Sequence, residues 1–311
     1  MLPGLISDDP AARNEATLAL RAMETQPGFS AHLLQLAASR ELPPRDRWVA
    51  VLYLKNQVAR FWQRRSGVPF EIAAAEKAVL RAGILNVSLD EDDNIAVQSA
   101  VVVAKIARAD YPNAWPEIVQ QVTQAAEQCA AAEGEAAMGN LLRVLRVLNL
   151  VIKELSSKRL VADRRAFLSL APPLLPLLAR LITSFSTSFC AALEPTADAS
   201  VSVLTGPARG GLCLVLKTLR RVLVQGFQQL HRAPEASAQL ATVVALFKHL
   251  LAKLLSGTLP PAAATHAERC CHFAGKTILF AIEKQAAAVS PHVRDILGIV
   301  PHYASPLPPS L

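Results

Sequence analysis

Residues 46–62 read Asp46-Arg-Trp-Val-Ala-Val-Leu-Tyr-Leu-Lys-Asn-Gln-Val-Ala-Arg-Phe-Trp62, and the spacing of their apolar side chains decides the class of the fold. Trp48, Val51, Leu52, Leu54, Val58 and Phe61 recur at helical period and wrap a broad apolar face. Pro43-Pro44 stands just before them, where a proline in the first helical turn removes only an N–H that has no partner in any case. The stretch predicts a helix from Arg45 to Trp62 with one face committed to a core.

The flanking sequence repeats this pattern. Upstream, Asp8-Asp9-Pro10 supplies an N-cap and a first-turn proline for a helix through Met23. Pro27-Gly28 then breaks the chain before a second helix, Ser30 to Ala38. Downstream, a partner helix runs from about Phe70 to Leu89. The acidic run Asp90 to Asn94 caps a third pair, Ile95 to Ala109 and Trp115 to Cys129, joined by the turn Tyr111-Pro-Asn-Ala-Trp-Pro116. A fourth pair is expected over Glu135 to Glu154 and Val161 to Ser186, and two more open near Pro207 and Pro261. The starts at Pro10, Pro44, Asp92 and Glu135 lie close to the spacing of about 40–47 residues typical of HEAT or armadillo units. The expectation is an all-α, right-handed α-solenoid of HEAT/armadillo-type helical hairpins. Thr183 to Gly206, rich in Ser, Thr and Ala, reads as a loop or a ragged helix extension.

Composition agrees. A chain of 311 residues with 52% hydrophobic content can bury a large core, and 5% aromatics with only 13 glycines suits stacked helices better than sheets. Formal charge is +7, yet the basic residues occur as singles and short pairs such as Arg64-Arg65 and Arg220-Arg221, with no basic tail. That pattern suits a solvated helical surface and argues against nucleic acid as a partner. The five cysteines, Cys129, Cys190, Cys213, Cys270 and Cys271, are irregularly spaced within apolar stretches and read as small buried hydrophobes. No membrane segment is expected. Leu141 to Ile152 carries Arg143 and Arg146, and Leu170 to Thr183 carries three prolines and Arg180, so each apolar run is read as interrupted.

Motifs for chemistry are weak. Ala274-Gly275-Lys276-Thr277 has the ending of a phosphate-binding loop but lacks the earlier glycine and a preceding strand. His266, Cys270, Cys271 and His272 share a helix with ligand-like residue types. Adjacent cysteines on a helix cannot easily face one tetrahedral ion, and a second ligand group is missing nearby in sequence, so no metal is expected. Neither a nucleophile elbow nor a dinucleotide loop occurs, and no catalytic residue or cofactor is assigned.

The stretch quoted first resembles the N-terminal motif of the importin-β superfamily of nuclear transport receptors, in which an Arg and a large apolar residue precede A-x-x-x-L-K-N. Here these positions are Arg47, Trp48, Ala50, Leu54, Lys55 and Asn56. The segments Glu24 to Phe29, Lys105 to Glu117 with Trp115-Pro116, and Ser156 to Arg165 extend the resemblance. It implies a carrier that takes cargo proteins across the nuclear pore by weak contacts with Phe-Gly repeat proteins and shuttles between cytoplasm and nucleus. The GTP form of the Ran GTPase is then received mainly by the second helices of the N-terminal repeats. Transferred by position, the candidate contacts are Lys77, Arg81, Asn86, Glu117, Gln120 and Gln124. On this reading residues 1–130 form the importin-β N-terminal domain, 131–300 add further hairpins, and 301–311 form a Pro-rich unstructured tail. Members of the superfamily are usually longer and acidic, so the chain is expected to be a fragment that receives Ran and lacks most of the cargo-holding repeats. Two other readings are a HEAT scaffold indifferent to Ran and an RNA binder using a stripe of Arg143, Arg146, Lys153, Lys158 and Arg159.

Overall fold

A computed structural model describes residue 4 and residues 8–68, 70–193 and 208–298. Among the described residues there are helices and one isolated antiparallel bridge, Arg65 to Val68, and no strand. The fold class is the expected one, all-α hairpins of HEAT type. The expected tail, 301–311, and the part of the Ser/Thr/Ala-rich stretch from 194 onward lie outside the described residues.

The chain forms two compact units, Met1–Leu155 and Ser156–Leu311. In the first, α1 spans Pro10–Met23, α2 Phe29–Ala38, α3 Pro44–Phe61, α4 Ala74–Val87, α5 Asp93–Asp110, α6 Ile118–Ala131 and α7 Glu135–Ser156. The helix starts follow local chemistry. The Asp9 carboxylate accepts from the Ala11 N–H at 2.9 Å, and Asp92 accepts from Asn94 and Ile95 at 2.8 and 3.2 Å, so each satisfies donors that the helix leaves open. Two expected starts shift. The partner of α3 begins at Ala74 instead of Phe70, because residues 70–73 remain extended and the buried Ile72 donates its N–H to the Phe61 carbonyl at 3.0 Å. α6 begins at Ile118 instead of Trp115, because Trp115 is buried within the turn and bonds back to the Asp110 carbonyl.

α3 lies against α2 and α5, and α4 lies against the same two helices, so first helices stack on first helices and second on second. The core between them contains Leu33, Ala37, Ala50, Leu54, Val58, Leu80, Ile84, Ile95, Val102 and Ile106, all at most 3% exposed. Small residues set the approach: a Cβ at Gly83 would stand 2.8 Å from Leu34 Cδ2, so α4 meets α2 where a side chain is absent.

Polar links recur at about one hairpin's separation. Arg47, 6% exposed, donates from Nε to the Ala37 carbonyl at 3.0 Å and from Nη2 to the Asp90 carboxylate. Asp90 in turn accepts the Asp92 N–H at 3.0 Å. Lys55 donates to Gln98 at 2.8 Å, and Arg108 donates to the Glu154 carboxylate at 3.2 Å. Glu76 supplies a cap from outside its own helix: its two oxygens accept the N–H groups of Gly28 and Ala31 at 3.1 and 2.9 Å, at the start of α2. Gly28, at φ +83°, has no side chain that could cap, and Glu76 brings the negative charge that a helix N-terminus favours.

In the second unit, α8 spans Val161–Ala192, α9 Ala208–Gln225, α10 Pro234–Leu255 and α11 Pro261–Lys284. Short turns follow at Ala286–Val289, Ser290–His292 and Val293–Leu297. α9 lies between α8 and α11, and α10 covers α11. The expectation that the prolines cut the Leu170–Thr183 run short of spanning length is corrected here. The helix expected over Val161 to Ser186 forms and continues to Ala192, so α8 passes through Pro172, Pro173 and Pro176 for 32 residues, and residues 183–192 are the helix extension, not a loop. All three prolines are exposed, while Phe167, Ala171, Leu174, Leu175, Leu178, Leu181, Ile182 and Phe185 are buried. The carbonyls that lose their N–H partners are therefore on the wet side of the helix, where water replaces the missing donors. By length and composition α8 and α10 could each cross a membrane. Each nonetheless buries one apolar stripe inside its unit, as core helices of a repeat protein do. Close packing also fixes Gly226, where a Cβ would lie 2.2 Å from that of Ala171 and 2.5 Å from the Val222 carbonyl oxygen.

Two stability changes follow. Arg47→Ala leaves the Asp90 carboxylate buried without its counter-charge, with an expected loss of about 3–5 kcal/mol in urea unfolding; Arg47→Met with Asp90→Leu should recover most of it. Gly226→Ala overpacks the α8–α9 contact and should cost about 1–3 kcal/mol in the same assay.

Candidate protein-docking surface

The residues singled out from the sequence separate into a structural set and an exposed set. Within α3, Ala50 and Leu54 are fully buried and allow α3 to sit close to its neighbours. Arg47 is the buried link already described, and Lys55 joins α3 to α5 through Gln98. Trp48 is half-buried and, with Leu52 and Tyr53, faces Pro10, Arg13, Asn14 and Thr17 of α1 across an open hollow. Asn56 is exposed at the helix end, Trp115 is buried in the turn and Pro116 is exposed beside it. Most of this motif therefore acts by holding the hairpins together.

The six proposed contact residues sit on α4 and α6 and just before α6, and they do not form one patch. Lys77 and Arg81 are one turn apart on α4 and share a face, but both are half-buried and engaged. Lys77 donates to Glu71 at 2.5 Å and stands 5.7 Å from the centre of the Trp62 ring. That hydrogen bond and charge hold the Glu71 carboxyl below the usual carboxylate range. Glu71 thus favours the fold above its unfolded pKa and loses that contribution as pH falls through its folded one. Arg81 donates to Asp110 at 2.7 Å, and the other oxygen of Asp110 accepts the Trp62 indole N–H at 2.8 Å. Asp110 thereby gathers the end of α3, the middle of α4 and its own helix α5 into one polar knot. Asn86 is exposed but lies nine residues after Lys77, half a helical rotation away, and belongs to a different face.

α6 is different. Gln120 and Gln124 are one turn apart and exposed, and Glu117, exposed at the N-cap position, precedes Gln120 by three residues. The three make a continuous polar stripe on a helix whose opposite side buries Ile118, Val119, Val122 and Ala126. None of their side chains is taken up in the core, and no acid or base pair of the kind needed for proton transfer is arranged along the stripe. Its hydrogen-bonding amides and one carboxylate suit contact with another protein.

Sequence reasoning missed Asp110 and Glu76 as organising groups, because each acts on a partner 29 to 48 residues away. The local signal was present only as an acid at a helix end and an acid in a helix's first turn. The basic stripe considered for RNA is largely committed internally. Arg143 donates to Asn140 and to the Glu91 carbonyl, Arg146 faces Asp93 at 3.5 Å, and Lys158 pairs with Asp163 at 2.6 Å.

Comparison with known proteins places these features in a family. Residues 16–90 match the importin-beta N-terminal domain family, and residues 92–171 match the exportin 1-like protein family. The chain is 32% identical to importin-11 of both Mus musculus and Homo sapiens over 245 residues, which is 79% of this chain and 24% of the relative. It spans about a quarter of the length of these curated relatives. Among solved structures, Lph2, described as a bidirectional nuclear transport receptor in S. cerevisiae, superposes with a TM-score of 0.72 at 23% identity, over 89% of this chain and 26% of that one. The exportin Cse1 in its cargo-free, cytoplasmic state superposes with a TM-score of 0.77 at 16% identity, over 98% of this chain and 31% of that one. These two likenesses bear on the fold.

Asp110→Ala removes one acceptor from Trp62 and the counter-charge from Arg81. A loss of about 1–3 kcal/mol in urea unfolding is expected, with Trp62 fluorescence shifting toward that of an indole in water.

Proposed function

This chain belongs to the importin-β superfamily, and from that premise we propose that it acts as a nuclear transport receptor, binding proteins and catalysing nothing. Its first unit receives the GTP form of the Ran GTPase on the face carried by α4 and α6. The observation that supports this most is the exposed stripe Glu117, Gln120 and Gln124 on α6, within the region matched to the exportin 1-like protein family. Asn86 is an outlying contact on α4. Lys77 and Arg81 contribute through the shape of the surface they brace, with Arg81 held by Asp110 and Lys77 by Glu71.

The 32% identity to importin-11 favours import: cargo proteins bind in the cytoplasm, weak contacts with Phe-Gly repeat proteins carry the complex through the pore, and Ran·GTP displaces the cargo in the nucleus. The receptor would then shuttle between cytoplasm and nucleus. A scaffold indifferent to Ran has no particular observation in its favour.

A pull-down with the full chain tests the reading. Ran loaded with GTP should be retained several-fold better than Ran loaded with GDP, and equal or absent retention overturns the proposal. Replacing Gln120 and Gln124 with Ala should weaken retention by about tenfold or more while changing stability by no more than about 0.5 kcal/mol, because both side chains are exposed.

A further inference from the structure

The second unit brings together three side chains that are far apart in the sequence. Cys213 comes from α9, and His266 and Cys270 stand one turn apart on α11. All three are buried, at 6%, 3% and 0% exposure, and their ligand atoms lie within 4.8 Å of one another. Cys213 Sγ is 3.5 Å from Cys270 Sγ, and Cys270 Sγ is 3.8 Å from His266 Nε2. The sequence-level objection to a metal here concerned the adjacent pair Cys270-Cys271, and the structure separates that pair. Cys271 turns away toward the Phe247 carbonyl, and His272 is exposed against Phe273. The additional sulfur comes instead from Cys213, 57 residues before Cys270.

We infer that Cys213, His266 and Cys270 form a binding site for a single thiophilic d10 cation, of the zinc(II) or copper(I) type. Bonds of about 2.3 Å to sulfur and about 2.0–2.1 Å to nitrogen in tetrahedral array require S···S separations of about 3.8 Å and S···N separations of about 3.6 Å. The observed 3.5 and 3.8 Å lie within a few tenths of an ångström of these values, and the third pair, Cys213 and His266, lies within 4.8 Å, so loading asks the His266 ring and the Cys213 sulfur to close by up to about an ångström. The donor set is chemically selective, since two thiolates and an imidazole favour soft or borderline cations over magnesium or calcium. The Phe189 ring packs edge to face against His266, with ring centroids 4.9 Å apart, and limits the rotation of the imidazole.

Charge balance favours loading. A zinc ion replaces the two thiol protons, which leave to solvent, and the buried group remains neutral as one dication, two thiolates and one imidazole. Copper(I) leaves one net negative charge, which the nearby Arg269 and Lys217 partly offset through their interactions with Cys270 and Cys213. In either case binding releases two protons and strengthens as pH rises. The ion would join α9 to α11 inside the unit and stabilise it, independently of Ran.

The experiment is elemental analysis of the full chain, expressed with added zinc or with added copper and purified under reducing conditions. About one equivalent of metal per chain is expected in at least one arm, and the arm that fills identifies the cation. Cys213→Ser and Cys270→Ser should each lower the content at least tenfold, whereas Cys129→Ser and Cys271→Ser should leave it unchanged. In case the serine variants unfold, the unmodified chain gives a second readout: stripping with a chelator should lower its thermal midpoint, and readding the same metal should restore it. Sub-stoichiometric metal in both arms, content unaffected by Cys213→Ser and Cys270→Ser in folded protein, or a Cys213–Cys270 disulfide in place of metal each overturns the proposal.

Discussion

The ion pair between Arg47 and Asp90 is the constraint on which the first unit depends. Both side chains are removed from water, so the desolvation they undergo is offset only if each remaining donor and acceptor also finds a partner. Part of that offset is visible: the guanidinium also holds the Ala37 carbonyl at the end of α2, and the carboxylate holds the Asp92 N–H at the start of α5. One polar contact thus fixes where α2 stops, how α3 is rotated and where α5 begins. Apolar packing alone would tolerate α3 sliding by a turn, because Leu, Val and Ala recur along it. The buried pair has one satisfied arrangement, and its main effect is on register.

Asp110 repeats this principle at the other end of the same helices, and the two knots explain how the surface is apportioned. Arg81 and Lys77 are held by acids of their own unit. On α6 the side chains left to water are mostly uncharged amides, Gln120, Gln121, Gln124 and Gln128. A surface of this kind carries little long-range field and favours recognition by shape and short hydrogen bonds over electrostatic steering. Along α5 and α7, Arg108 and Arg146 are likewise turned toward acids, Glu154 and Asp93.

Helix positions were legible in the sequence where their causes are local. Asp9-Pro10, Pro43-Pro44 and Asp92 each announce a start within a few residues, and the structure places α1, α3 and α5 accordingly. What escaped was pairing at a distance. Glu76 carries no local sign that it caps α2, and Cys213 carries none that it meets His266 and Cys270. The helix through the prolines of α8 was legible as well, and it persists because Pro172, Pro173 and Pro176 all face water. For the candidate contacts, sequence position could not show the rotation of α4, which holds Lys77 and Arg81 in ion pairs and turns Asn86 to another face.

Several of the polar links between neighbouring hairpins have a similar stride. Arg47 to Asp90 and Lys55 to Gln98 span 43 residues, Ala31 to Glu76 spans 45, Arg108 to Glu154 spans 46 and Trp62 to Asp110 spans 48. Each closes a loop of nearly the same size, so the entropy lost in ordering one hairpin against the next does not grow along the array. An assembly of this kind can begin folding at any adjacent pair and extend both ways by equal steps, which frees its folding rate from its total length. Emerging from a ribosome, such a chain need wait for only one more hairpin before the previous one can be locked in place.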